Sequence, residues 1–298
     1  MGLEQTQVDL QLIWDGKATL GEGPVWDHRT GQLIWVDIVG KRVHVFTPAD
    51  DTQRTIQLDQ LIGAAVPREQ GGLVLAMENG FHLLDLETEI VTPLSDPESD
   101  RPNNRFNDGK CDVAGRFWAG TMAKRDGGVT GSLYCLKVDR TVRTLEDRCI
   151  TVSNGLGWNL DNTMMYYIDS PTRQVVAYDY DHETGTINNP RIVVTIPEGE
   201  GFPDGMTVDS EGMLWIAQWG GWQVGHWNPV TGEKLGSIPV PVERTSSCTF
   251  GGENLDELYI TTASVEMSDE DWENQPHAGG LFRVKLNVKG TQANFYGG

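Results

Sequence analysis

The chain has 298 residues and a formal net charge of -20 with a pI near 4.6. That excess of acid repels nucleic acid and anionic membrane surfaces, so neither is expected as a partner. The length permits one or two domains with a sizeable buried core. No run approaches the ~18 uninterrupted apolar residues of a spanning helix.

The opening residues Met1 to Thr6 lack a basic region followed by an apolar core, so no secretory signal is expected. Met1-Gly2 with Thr6 formally matches a myristoylation pattern, but Glu4 and Gln5 offer no basic second anchor and the match is set aside. An apolar run, Val8 to Trp14, comes next. Six short strand-like runs then recur: Gln32 to Asp37, Gly72 to Met77, Arg116 to Gly120, Met164 to Asp169, Met213 to Gln218 and Glu257 to Thr261. Each is rich in β-branched and aromatic residues and follows a Gly, Asp or Asn turn, with another short strand before the turn. Later segments look like third strands: Arg42 to Phe46, Gly80 to Asp85, Gln174 to Asp179 and Gln223 to Trp227. Hairpin turns at Asp181 to Gly185 and Asn228 to Gly232 lead to fourth strands.

A strand–turn–strand unit repeated every ~40 to 50 residues predicts an all-β, six-bladed β-propeller with four strands per blade. A sandwich or two barrels would not need six repeats in register. The run Val8 to Trp14 is expected to close the ring as the outer strand of the last blade. No linker or composition break divides the chain, so residues 1–298 are read as a single domain. Cys111, Cys135, Cys149 and Cys248 form no C-x-x-C pair and are read as free thiols in a reducing, cytoplasmic setting.

One polar residue recurs at the same place in four repeats: Glu22, Asn107, Asn154 and Asp204, placed just before the first strand. Gly23, Gly155 and Gly205 follow directly, and Gly109 follows after Asp108; each is read as letting the backbone approach a bound group. First strands line a propeller's channel, so these side chains should converge near the axis. Two carboxylates and two amides gathered there call for a hard divalent cation such as Ca²⁺, Mg²⁺ or Mn²⁺. No His stands at these positions, which argues against a site specific for zinc.

The segments Leu20-Gly21-Glu22-Gly23-Pro24-Val25-Trp26, Asn104-Arg105-Phe106-Asn107-Asp108-Gly109-Lys110 and Ala119-Gly120-Thr121-Met122 resemble the regucalcin (senescence marker protein) and gluconolactonase family. So do Ser153-Asn154-Gly155-Leu156, Pro203-Asp204-Gly205-Met206, Thr245 to Gly252 and Ala278-Gly279-Gly280-Leu281-Phe282. The resemblance runs from about Leu12 to the C-terminal end. It implies Glu22, Asn154 and Asp204 as metal ligands, Asp204 as the acid/base residue, and Arg105 with Asn107 as substrate contacts. The implied activity is hydrolysis of sugar lactones to aldonic acids with one divalent metal, Ca²⁺ foremost and Zn²⁺, Mn²⁺, Mg²⁺ or Fe²⁺ as further candidates. The implied partner is a small-molecule sugar lactone, with no obligate protein partner. The chain departs from the animal members after Gly-Thr-Met-Ala: they carry a substrate-contacting Glu where Lys124-Arg125 stand here, so their sugar preference is not carried over.

Two other functions stay open on the same site: an organophosphate or aryl-ester hydrolase, and a non-catalytic calcium-binding regulatory protein. Trp219 and Trp222 are candidates to line a sugar's apolar face, with blade packing as the equal alternative. Asp179-x-Asp181-x-Glu183-x-Gly185 resembles the start of an EF-hand loop, but Pro190 stands where the closing Glu belongs, and a hairpin turn is expected. The acidic run Ser268 to Glu273 is expected to be a solvated loop or short helical turn.

Overall fold

A computed structural model of the chain describes residues 9–125 and 127–298. Met1 to Val8, with the myristoylation-like pattern and the first residue of the expected closing run, lie outside the described residues. Among the described residues the strands form six antiparallel sheets of four, arranged as the blades of a β-propeller. The inner strands are Gly21–Asp27, Ile62–Pro67, Asn104–Cys111, Ser153–Trp158, Phe202–Val208 and Thr245–Gly251. The six runs picked out by composition all contribute second strands, and both hairpin turns fall between third and fourth strands.

Burial decreases from the axis outward. Every residue of Ile62–Pro67 is buried, whereas the outer strand Thr52–Gln57 buries only Ile56. Second strands such as Gln32–Asp37 are covered on both faces, because each blade is sandwiched between two others. Continuous β-branched and aromatic runs therefore mark them more clearly than alternation would. The core is divided accordingly. Trp118, Leu133 and Tyr167 pack between blades three and four; Trp215, Phe250 and Leu258 pack between five and six; Trp26, Trp35 and Tyr259 pack between six and one.

The ring closes as expected. Gln11–Trp14 pairs antiparallel with Leu281–Lys285 of blade six, with Leu12 opposite Phe282. Trp14 also reaches blade one, its ring 4.9 Å from Trp35 and 5.0 Å from His44. The acidic run forms a short helix, Asp269–Asn274, capped by Ser268. All four cysteines are free thiols. No helix among the described residues is long and apolar enough to cross a membrane.

Glycines set how closely the blades approach. A Cβ on Gly63 would lie 2.2 Å from the Asn107 carbonyl oxygen and 2.6 Å from that of Phe106. Both obstacles are backbone, so they cannot swing aside. Replacing Gly63 by Ala should cost about 2 kcal/mol by overpacking the seam between blades two and three. Gly128→Ala, whose Cβ would meet nothing closer than Thr130 at 3.5 Å, should stay within about 0.5 kcal/mol of the parent. Paired thermal melts check the difference; equal melting points would contradict it.

Candidate active site

Every inner strand breaks register with its neighbour near its beginning. The shifts fall between Glu22 and Val25, Ile62 and Ala64, Phe106 and Gly109, Ser153 and Leu156, Pro203 and Met206, and Thr245 and Ser247. A bulge re-aims a side chain out of the ladder, here out of the blade plane toward the axis. The six blades thereby present Glu22, Gly63, Asn107, Asn154, Asp204 and Ser246 in turn. The polar residues thus stand inside the inner strands, at the bulge, rather than just before them.

The structure also corrects the reason for the adjoining glycines. Of Gly23, Gly109, Gly155 and Gly205, only Gly23 has a positive φ. A Cβ on Gly155 would sit 2.6 Å from the Asp204 carbonyl oxygen, and one on Gly205 would sit 2.0 Å from Ser247 Oγ. These glycines admit the next blade's inner strand rather than a bound group.

All five residues expected at the site are brought together. Glu22, Asn107, Asn154 and Asp204 are each at most 6% exposed. Arg105 Nη1 donates to Asn107 Oδ1 at 2.7 Å and to the Phe106 carbonyl at 2.9 Å. Asn107 Nδ2 donates to the Ser153 carbonyl at 2.7 Å and reaches Asn154 Oδ1 at 3.4 Å. Asn154 Nδ2 donates to Ser170 Oγ at 2.9 Å, and that hydroxyl donates to the Pro203 carbonyl at 2.6 Å. One chain of hydrogen bonds therefore runs from Arg105 to the strand that carries Asp204.

The carboxylates are crowded. Glu22 Oε2 accepts from the Gly23 amide at 2.9 Å. Burial first, and the charge of Asp108 second, push the Glu22 carboxyl up to about 8. Asp204 is raised well above the ordinary carboxylate range by burial and then by Glu22 and Asp108. Burial lowers Arg105 to about 10 against the pull of Glu22, Asp204 and Glu78. Asp204 Oδ1 is buried with no hydrogen-bond partner. An orphaned carboxylate oxygen beside a second buried carboxylate and an amide oxygen fits a hard cation, which would replace the missing donors. Among the described residues no group of three or more His, Cys, Asp and Glu side chains is placed to hold a metal. The donor set that fits here is two carboxylates with the Asn154 amide oxygen.

Two charged groups lie below this ring and were not singled out from the sequence. Asp108 Oδ1 accepts from the Gly109 amide at 2.7 Å, and Lys110 Nζ donates to the Met206 carbonyl at 2.7 Å. Both line a cavity of about 180 Å³ on the far side of the bulges, together with Gly23 and Ser247. The C-terminal segment contributes Ala293 and Asn294 to its wall. Their signal lay in Asn107-Asp108-Gly109-Lys110 itself, where the residues after the aligned position are charged. Trp219, opposite Phe202 at the same end of blade five as Asp204, lines a recess with Phe202 and Arg173, its ring 5.8 Å from the Arg244 guanidinium. Trp222 is exposed.

The family profile of the SMP-30/Gluconolactonase/LRE-like region matches residues 20–264. Regucalcin of Xenopus laevis is 42% identical over 300 residues, covering 98% of this chain and 100% of that protein. A Bacillus subtilis protein provisionally named sugar lactone lactonase YvrE is 40% identical over 285 residues, covering 96% of this chain and 97% of its own. The solved structure of a calcium-binding protein, regucalcin, from Agrobacterium tumefaciens matches with a TM-score of 0.92 at 26% identity, covering 97% of each chain. The chain belongs to the SMP-30/gluconolactonase/LRE-like family.

Proposed function

We propose that this chain, acting as one propeller domain in the cytoplasm, hydrolyses sugar lactones to aldonic acids at a single divalent cation held by Glu22, Asn154 and Asp204. The observation that carries this is the orphaned, buried Asp204 Oδ1 packed beside Glu22. The family match and the name of the Bacillus subtilis relative supply the lactone, and the Agrobacterium tumefaciens protein's description as calcium-binding favours Ca²⁺.

When bound, the cation supplies Lewis-acid polarisation of the lactone carbonyl and charge stabilisation for the oxyanion. Asp204 takes a proton from the water that attacks the carbonyl carbon, and returns it to the ring oxygen as the C–O bond breaks. Arg105 is held in place by Asn107 and the Phe106 carbonyl, and offers its remaining N–H groups to a substrate hydroxyl or to the developing anion. Asn107 has both amide hydrogens engaged and keeps one Oδ1 lone pair for a hydroxyl.

Asp204→Asn should lower kcat for lactone hydrolysis by about 10²- to 10⁴-fold, the usual range for a lost general base. Cation occupancy is to be measured on the same sample. Near-normal turnover in the loaded variant would remove Asp204 from the proton path. A wild-type protein that binds Ca²⁺ yet turns over no lactone would favour the calcium-binding alternative.

The crowded carboxylates also predict how the metal-free protein responds to pH. Glu22 binds its proton more tightly folded, at about 8, than at its ordinary value of 4.5. Its contribution to stability is therefore fully present below the unfolded value and is lost as pH rises through about 8. In chelator, melting temperature should fall from about pH 5 to pH 8.5, and Glu22→Gln should flatten that slope. Adding Ca²⁺ at pH 8 should raise the melting temperature of the wild type. A slope unchanged by Glu22→Gln would contradict the assignment.

A further inference from the structure

Lys124 and Glu78 form an ion pair between blades three and two. Each stands one residue beyond a second strand, Phe117–Ala123 and Leu73–Met77 respectively. Second strands run antiparallel to inner ones, so these ends lie beside the beginnings of the inner strands, where the bulges are. The Lys124 amide donates to the Asn103 carbonyl at 2.7 Å, and the Glu78 amide to the Leu61 carbonyl at 2.9 Å. Both acceptors immediately precede an inner strand.

The pair lies at the same end of the blades as the site. Arg105 lies opposite Met122, and Lys124 is two residues further along on the same side. The charge of Glu78 reaches Arg105. Blade two places only Gly63 at the ring, and Glu78 is its nearby charged side chain; Arg105 itself is held by Asn107 and the Phe106 carbonyl, not by Glu78. Both side chains of the pair are 25% exposed, so the pair is shielded without being sealed. Among the described residues neither side chain makes another hydrogen bond. Lys124 keeps two further N–H donors, and Glu78 keeps unused lone pairs.

We infer that the Glu78–Lys124 pair is a specificity-determining element that recognises a neutral, hydroxyl-bearing arm on the lactone. A hydroxyl both donates and accepts, and so can join the pair without breaking it. A carboxylate or phosphate would meet the Glu78 charge, and an alkyl arm would desolvate both ions with no compensation. This assignment rests on the lactonase function proposed above and concerns the same pocket.

The test compares two δ-lactones of one ring size: glucono-δ-lactone, which carries hydroxyls and a hydroxymethyl arm, and δ-valerolactone, which carries neither. Lys124→Met, Glu78→Gln, the double variant and Lys124→Arg are assayed with the cation bound. The two single variants and the double variant should each raise KM for the hydroxylated lactone about tenfold with kcat within about twofold, and leave kcat/KM for δ-valerolactone within about twofold. The double variant carries no unpaired charge and so guards against misfolding, which melting temperatures check. Lys124→Arg should restore part of the KM. Equal effects on the two lactones, or none on either, would overturn the assignment while leaving lactone hydrolysis intact. A wild type that hydrolyses neither lactone would overturn the lactonase function, and this assignment with it.

Discussion

The mutual repulsion of Glu22 and Asp204 is the constraint around which the rest of the molecule is organised. Two buried carboxylates within reach of each other are stable only as a proton-sharing pair or around a cation, since neither finds enough donors in the protein. Arg105 and Lys110 do not cancel the three carboxylates of Glu22, Asp108 and Asp204. Keeping these groups together therefore requires a frame that cannot relax outward. A closed ring provides it, because a blade can move away from the axis only by opening both of its seams.

Ring closure and site geometry are thus one problem. The strand Gln11–Trp14 completes blade six while Trp14 packs against Trp35 and His44 of blade one, so the two ends of the circle share an aromatic contact. At the axis, Gly63, Gly155 and Gly205 let neighbouring inner strands come closer than any Cβ would permit. The bulges then turn side chains into the space the strands enclose. Ser246 occupies the sixth position, but its hydroxyl is engaged with the Gly21 carbonyl and Thr261. That leaves the charged and amide groups of four blades to form the site.

What could be read from the residues alone follows the same physics. Second strands buried on both faces carry apolar runs, such as Met164–Asp169, that identify themselves locally, and the turns before them are equally local. The convergence of Glu22, Asn154 and Asp204 was legible because a ring converts equal positions in a repeat into one point in space. The bulges were not, since a register shift depends on the partner strand. The fixed orientation of Asn154 through Ser170 and Pro203 was also hidden, as it joins residues from separate blades. Lys124 was visible as a departure from the family pattern. Its partner Glu78, 46 positions away, was not.

The proposed reaction changes the charge of what occupies the site. A neutral lactone enters, and an aldonate anion with a released proton must leave. A bound cation and Arg105 would hold the developing anion, yet both would be embedded in a protein of formal net charge -20, which opposes retention of an anionic product. In that reaction the two cations would divide the labour: Arg105, set among the buried carboxylates Glu22 and Asp204, would meet the reacting carbonyl, whereas Lys124 is paired with Glu78. An unpaired lysine there would hold the product as firmly as it gathered the substrate. On the proposed reading, the ion pair would keep donors for hydroxyls without adding a further electrostatic trap for the product.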